Sequence, residues 1–182
     1  MTPPTARTWS PRGMTPVVRV RGRSQRRISI AALACYKTGE RPRLIWRPTV
    51  HPDHKSGGRR SFAWTDYRDL LVDAHQQLGK PIVLVWDNLN VHRDRRLRAF
   101  IDAHDWITVH YLPAYTPQLN PVEGIWSLLR RRCQTNTDFT DPAHLMRALR
   151  RGLRQVQYRP DIIDGCLAGT GLTLTTSPLE GQ

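Results

Sequence analysis

The chain has 182 residues, 39% of them hydrophobic, a formal net charge of +13 and a sequence pI near 10.9. That length and apolar content suit one domain with a buried core, and the charge points to a polyanionic partner, nucleic acid before an acidic membrane surface. Cys35, Cys133 and Cys166 are scattered with no CxxC pair, no run is long enough to span a membrane and no signal-peptide pattern opens the chain, which argues against a zinc site or disulfide framework and suits a cytoplasmic, nucleoid-associated protein.

The charge is unevenly spread. Only Lys37, Lys55 and Lys80 of the 28 basic residues are lysine, a bias that fits both nucleic-acid contact and a GC-rich genome. No Asp or Glu precedes Glu40.

Residues 1–15, rich in Pro, Thr and Arg, read as an irregular basic segment. Residues 16–21 (PVVRVR) alternate like a strand and residues 22–24 turn. Residues 28–36 (ISIAALACY) predict a longer apolar strand, residues 37–40 a turn, and residues 43–47 (RLIWR) its partner, giving an antiparallel meander. The loop HPDHKSGGRR follows; its His51-Pro-Asp53-His54 run resembles part of a metal site, but without a further ligand at useful spacing it reads as two exposed histidines.

Thr65 is placed to cap a helix whose Tyr67, Leu70, Leu71, Ala74 and Leu78 share one face, with Gly79 ending it. Residues 82–86 (IVLVW) form an unbroken apolar run, the pattern of a strand covered on both faces. Residues 93–104 predict a helix with Leu97, Phe100, Ile101 and His104 inward, and residues 107–112 a second buried strand, so the two strands pair in parallel through a crossover. Asn120 and Pro121 open a helix to Arg132, and Asp141 or Pro142 opens a last one to about Tyr158. The organisation expected is a basic segment 1–15, a catalytic domain 16–165 and a tail 166–182. Most of the six tryptophans are expected in the core.

Two carboxylates carry the chemistry. Asp87 directly follows the 82–86 strand, where ligands gather in open α/β sheets, with Asn88, Asn90 and His92 around the same rim. Its alternative role is to cap the next turn. Glu123 stands in the first turn of its helix, beside a stripe of Val122, Ile125, Trp126 and Leu129. Its alternative role is a capping box with Asn120. Paired carboxylates from different elements suit two-metal chemistry on phosphodiesters, since Mg²⁺ takes hard oxygen ligands. His92 is placed either to orient a phosphate or water or to serve structure.

The blocks WDNLNVH and LPAYTPQLNPVEGIW together resemble the catalytic core of the IS630/Tc1/mariner transposases, a DDE superfamily. TWSPRGMTPVVRVRG and ISIAALACY resemble the IS630 branch, so the resemblance covers roughly residues 8–165. It implies an α/β, RNase H-like fold: a mixed sheet of antiparallel meander plus parallel strands with flanking helices. It implies Mg²⁺- or Mn²⁺-dependent cleavage and strand transfer of DNA. Asp87 becomes the second catalytic acid and metal ligand, Glu123 the third, and Asn88 and His92 support them. Partners implied are transposon ends and target DNA, with family members acting as multimers, and no membrane. Ala114 and Gln118 depart from the family pattern within a loop.

The family's first Asp precedes the Thr-Trp-Ser-Pro-Arg-Gly segment on a central strand, and only seven residues precede that segment here, none acidic. The expectation is therefore a chain without its first central strand, with two unpaired ladder edges and no cleavage by itself, a truncated transposase. Asp53, Asp66 and Asp69 are minor candidates for a substitute ligand. The alternative is a non-catalytic DNA-binding remnant of the same ancestry.

Arg147, Arg150, Arg151 and Arg154 form one helical stripe, and Arg130, Arg131 and Arg132 follow Glu123 on its helix. Both sets are candidate DNA contacts; the stripe has a solvated helix face as its alternative reading, and the run after Glu123 is the stronger candidate.

Overall fold

A computed structural model describes residues 9–14, 17, 27–51, 58–59, 61–135 and 137–174. It is a mixed α/β structure with antiparallel and parallel pairing. The expected strand over 16–21 lies, apart from Val17, outside the described residues.

Strands β1 (Arg27–Cys35) and β2 (Arg43–His51) form an antiparallel hairpin in register from Arg27↔His51 to Cys35↔Arg43. The turn between them uses Gly39 at φ 76°, where a side chain is strained. Helix α1 (Trp64–Leu78) starts from Ala63 rather than Thr65. The Asp66 carboxylate accepts the Ala63 N–H at 2.7 Å, so the acid in the first turn does the capping that Thr65 was expected to do. Gly79 ends the helix at φ 63°, its N–H donating to the His75 carbonyl.

Strands β3 (Ile82–Trp86) and β4 (Ile107–Tyr111) pair in parallel, from Ile82↔Ile107 to Trp86↔Tyr111. Helix α2 (Arg95–Asp102) connects them, and residues 90–93 form a separate 3₁₀ turn. Asp94 caps α2 by accepting the Arg96 N–H, which moves the helix start past the expected Arg93. His104 lies beyond the helix, tilted against Phe100.

Helix α3 (Pro121–Leu129) begins at Asn120, whose side chain accepts the Val122 N–H at 3.1 Å as expected. It gives way to a π turn at Arg130–Gln134 instead of running on to Arg132. Helix α4 (Pro142–Gln157) is capped by Asp141, which accepts the His144 N–H at 2.7 Å. It is not the last helix: α5 (Pro160–Ala168) follows and buries Ile163 completely. Its short apolar stretch, interrupted by Asp164 and Gly165, hid it in the sequence.

The core is divided. One cluster joins Leu44, Ile125, Leu129, Leu153, Val156 and Ile163, packing α3, α4 and α5 on the hairpin. Another joins Leu71, Leu84, Trp86, Leu97, Ile101 and Ile107, packing α1 and α2 on one face of β3–β4. Gly152 lets α4 close on the π turn, since a Cβ there would overlap the Cys133 sulfur and come within 2.8 Å of Leu129 Cδ2.

Among the described residues, β1–β2 and β3–β4 are two separate two-stranded sheets. This corrects the expectation of strands covered on both faces. Leu84 and Trp86 are buried, but Val83 and Val85 are 69% and 55% exposed. On β4, Thr108 and His110 are exposed as well. Trp9 is fully exposed, while Trp86 is in the core.

Candidate metal and nucleic-acid site

Asp87 sits where β3 ends. Its side chain is half exposed, and Oδ1 accepts the Leu89 N–H at 3.2 Å and lies 2.9 Å from His92 Nδ1, whose hydrogen bond goes to the Asp87 carbonyl at 3.3 Å. The carboxylate therefore does cap the following turn, but that use engages one oxygen, and His92 stands beside the same oxygen.

His92 is buried, stacked on Trp86 with ring centroids 4.2 Å apart and planes at 2°, and met edge-on by Tyr67 at 4.7 Å. Burial lowers its pKa, against the opposing influence of Asp87. With Nδ1–H donated to the Asp87 carbonyl, Nε2 keeps a lone pair without a donor among the described residues, and the Trp86 indole N–H has no acceptor among them. Burial, followed by the nearby Asp87 charge, pushes the Tyr67 hydroxyl up to about 12, so Tyr67 is neutral beside the acid. The sequence reading placed Tyr67 only on an apolar helix face; its repeat position at the helix start gave no sign of this neighbour.

Asn88 works as a clamp. Its amide donates to the Leu112 carbonyl at 2.7 Å and its oxygen accepts from Arg93 at 2.6 Å. Together with Leu112 N–H to the Trp86 carbonyl at 2.9 Å, this ties the ends of β3 and β4 into one rim. Tyr111 adds a bond to the His92 carbonyl.

From that rim the chain runs through residues 113–120 to Glu123. The capping-box alternative for Glu123 is not realised, because the Asn120 N–H donates to the Pro117 carbonyl. The Glu123 side chain is exposed and has no hydrogen-bond or ionic partner among the described residues. It lines a groove of about 470 Å³ with Asn120, Arg131, Ile162 and Thr170. A different groove, of about 430 Å³, opens beside the Asp87 turn and is lined by Leu89, Asn90 and Val91. Neither of these two grooves is lined by both acids.

The substitutes for a missing acid are engaged elsewhere. Asp66 binds the Ala63 N–H and Arg59, and Asp69 pairs with Arg68 and Arg47. Asp53 lies outside the described residues. Among the described residues no group of three or more His, Cys, Asp or Glu is placed to hold a metal. His51 is buried rather than exposed, with Nδ1 on the Arg59 carbonyl and Nε2 on Ser29 Oγ, so it anchors the hairpin. Burial pushes the Cys35 thiol up to about 11 and also raises Cys133 and Cys166, which removes thiolate chemistry.

Arg130, Arg131, Arg132, Arg147, Arg150, Arg151 and Arg154 are all exposed. The two sets are neighbours: Arg132 and Arg151 both act electrostatically on Cys133, the residue that packs against Gly152. No helix is long and apolar enough to cross a membrane among the described residues.

Residues 2–146 match the family described as DDE superfamily endonuclease. A curated relative, the insertion element IS630 uncharacterized 39 kDa protein of Shigella sonnei, is 27% identical over 89 residues. That match takes in 49% of this chain and 26% of the relative, so the chain spans about a quarter of the relative's length. Among solved structures, the Mos1 mariner paired end complex with Mn is similar at a TM-score of 0.48 and 14% identity, covering 94% of this chain and 52% of that one. The Mos1 strand transfer complex gives 0.46 and 13%, covering 96% and 52%.

Proposed function

The chain belongs to the DDE superfamily endonuclease family, and from that premise we propose that it is catalytic-domain sequence of an IS630-type transposase, with an RNase H-like fold, acting on DNA ends and target DNA. The observation that carries this reading is the pair of carboxylates in different elements, each with unengaged oxygen: Asp87 after β3 and Glu123 in the first turn of α3.

Their hard oxygens fit Mg²⁺ or Mn²⁺, which would supply Lewis-acid stabilisation to a phosphodiester under attack. Asp87 and Glu123 would hold the metal. His92 holds the Asp87 turn through its bond to the Asp87 carbonyl and stands 2.9 Å from Oδ1, so it supports the carboxylate without being a ligand. Asn88 holds the rim on which Asp87 stands. The basic surface of the π turn and α4 binds backbone phosphates, and multimeric assembly on paired ends is part of the same reading. The described residues supply two of the three acids this chemistry uses.

The 182-residue chain is expected to bind DNA and leave it uncut. Incubation of supercoiled plasmid with Mg²⁺ or Mn²⁺ checks this. Nicking that disappears in Asp87→Ala would show that the third acid is present after all. A second reading, a DNA-binding remnant without chemistry, draws on the lack of a three-acid group among the described residues. It is separated from the first by metal binding at Asp87 and Glu123.

Phosphate contact has its own readout. Replacing Arg147, Arg150, Arg151 and Arg154 by Gln is expected to flatten the plot of log binding constant against log salt by up to about 3.6, near 0.9 per lost contact on duplex DNA. An unchanged slope in a salt-titrated gel shift would return the stripe to a solvated helix face.

A further inference from the structure

Tyr115 is the one non-glycine residue at positive φ among the described residues, at 60°. That left-handed conformation crowds the Cβ of an L residue; Gly or Asn takes it readily, a bulky side chain does not. The ring recovers nothing by packing, since Tyr115 is 100% exposed. A strained backbone and a large ring in water both count against folding, and strain of this kind collects at functional sites.

The loop that carries the ring is braced. At its start the Leu112 N–H donates to the Trp86 carbonyl at 2.9 Å, and the Asn88 amide donates to the Leu112 carbonyl at 2.7 Å. Thr116 Oγ1 donates to the Pro113 carbonyl at 2.7 Å, spanning Tyr115. The Leu119 and Asn120 N–H groups donate to the Thr116 and Pro117 carbonyls at 3.1 and 3.0 Å, and Asn120 caps α3. Pro113 and Pro117 fix φ on either side. The ring therefore stands out from a held turn, with little conformational entropy left to lose on contact.

Its place selects the partner. The loop joins the rim of Asp87 to the helix of Glu123, and Pro117 and Gln118, just past the ring, line the same groove as Glu123 and Arg131. The other aromatic side chains of the rim are occupied. Trp86 stacks on His92, Tyr67 meets His92 edge-on, and Tyr111 lies beneath Arg93 at 5.8 Å with its hydroxyl on the His92 carbonyl. In a chain of net charge +13, a free ring beside groups suited to phosphates fits the planar face of a nucleobase, which every base offers. Bases inside a duplex show only their edges, so the ring meets a base at a strand end or where a strand leaves the duplex.

We propose that Tyr115 is a stacking residue for a terminal or unpaired base of the DNA strand that approaches the Asp87 rim and Glu123. This rests on the reading of the chain as a DNA-acting transposase domain, and adds how a DNA end is told from continuous duplex.

The test titrates the whole chain with a duplex carrying a short single-stranded overhang that contains 2-aminopurine, and with a closed duplex minicircle that has no ends. Stacking quenches 2-aminopurine fluorescence. The expected result is quenching by the unaltered chain and by Tyr115→Phe, which keeps the ring, and none by Tyr115→Asn, which suits the left-handed backbone and so keeps the loop. Tyr115→Asn is also expected to bind the overhang duplex roughly 5- to 150-fold more weakly, with minicircle affinity unchanged. Equal weakening on both DNAs, quenching that survives in Tyr115→Asn, or quenching lost in Tyr115→Phe overturns the proposal. A dimer in sedimentation that Tyr115→Asn dissociates, with overhang affinity unchanged, also overturns it and makes the ring a protein contact. If the unaltered chain binds both DNAs without quenching, this proposal alone fails; if it binds neither, the DNA reading fails and takes the proposal with it.

Discussion

Leu153→Ala lowers the unfolding free energy by about 2–5 kcal/mol, the cost of an unfilled cavity in a packed core. Leu153 has no exposed surface and sits where α4 meets Ile125 and Leu129 of the α3 segment, Ile163 of α5 and Leu44 of β2. Four elements converge on that side chain, so there is little room to collapse around the hole. Domain stabilities of roughly 5–15 kcal/mol make this a large fraction of the total. The contrast is Val85→Ala on the open face of β3, more than half exposed, where a surface substitution is expected to stay within about 0.5 kcal/mol. Urea denaturation of both variants measures the pair. Equal losses would mean that Val85 is covered in solution and that the open face is filled.

The open face also shows where the sequence was legible and where it was not. Period and capping identified α1, α3, α4 and all four described strands, because Gly79, Asn120 and Asp141 punctuate strongly. The helix starts drifted wherever an acid competed for the cap: Asp66 captured the start of α1, and Asp94 shortened α2. The run IVLVW correctly marked a strand, but its apolar composition describes a strand buried on both faces, whereas the described residues leave Val83 and Val85 uncovered. α5 escaped because nine residues with two interruptions give too weak a period.

At the site, the motifs identified Asp87, Asn88, His92 and Glu123, and the geometry resolved their alternatives differently. Asp87 does cap the turn, but through one oxygen, so the capping role leaves the second oxygen for the proposed metal role. Glu123 loses its capping role, because Pro117 already takes the Asn120 N–H. Asn88 proved to be a clamp between strand ends, which spacing along the chain has no means of showing. Tyr67, from a distant helix, was invisible for the same reason.

Asp87→Asn and Glu123→Gln are each expected to weaken Mn²⁺ binding by about tenfold or more, since each removes a charged oxygen from a site with few ligands. His92→Ala is expected to weaken it less, by loosening the Asp87 turn without removing a donor. The effect on folding should be small in the first two cases, because both side chains are exposed; Asp87→Asn keeps an oxygen for the Leu89 N–H.

The direct measurement is oxidative mapping with Fe²⁺ in place of Mg²⁺, where a bound ion cuts the polypeptide near its ligands. The account predicts cuts close to both residue 87 and residue 123, suppressed together by excess Mg²⁺ and by either substitution. Cuts at one position that persist when the other acid is replaced would contradict it, because Asp87 and Glu123 would then belong to separate sites.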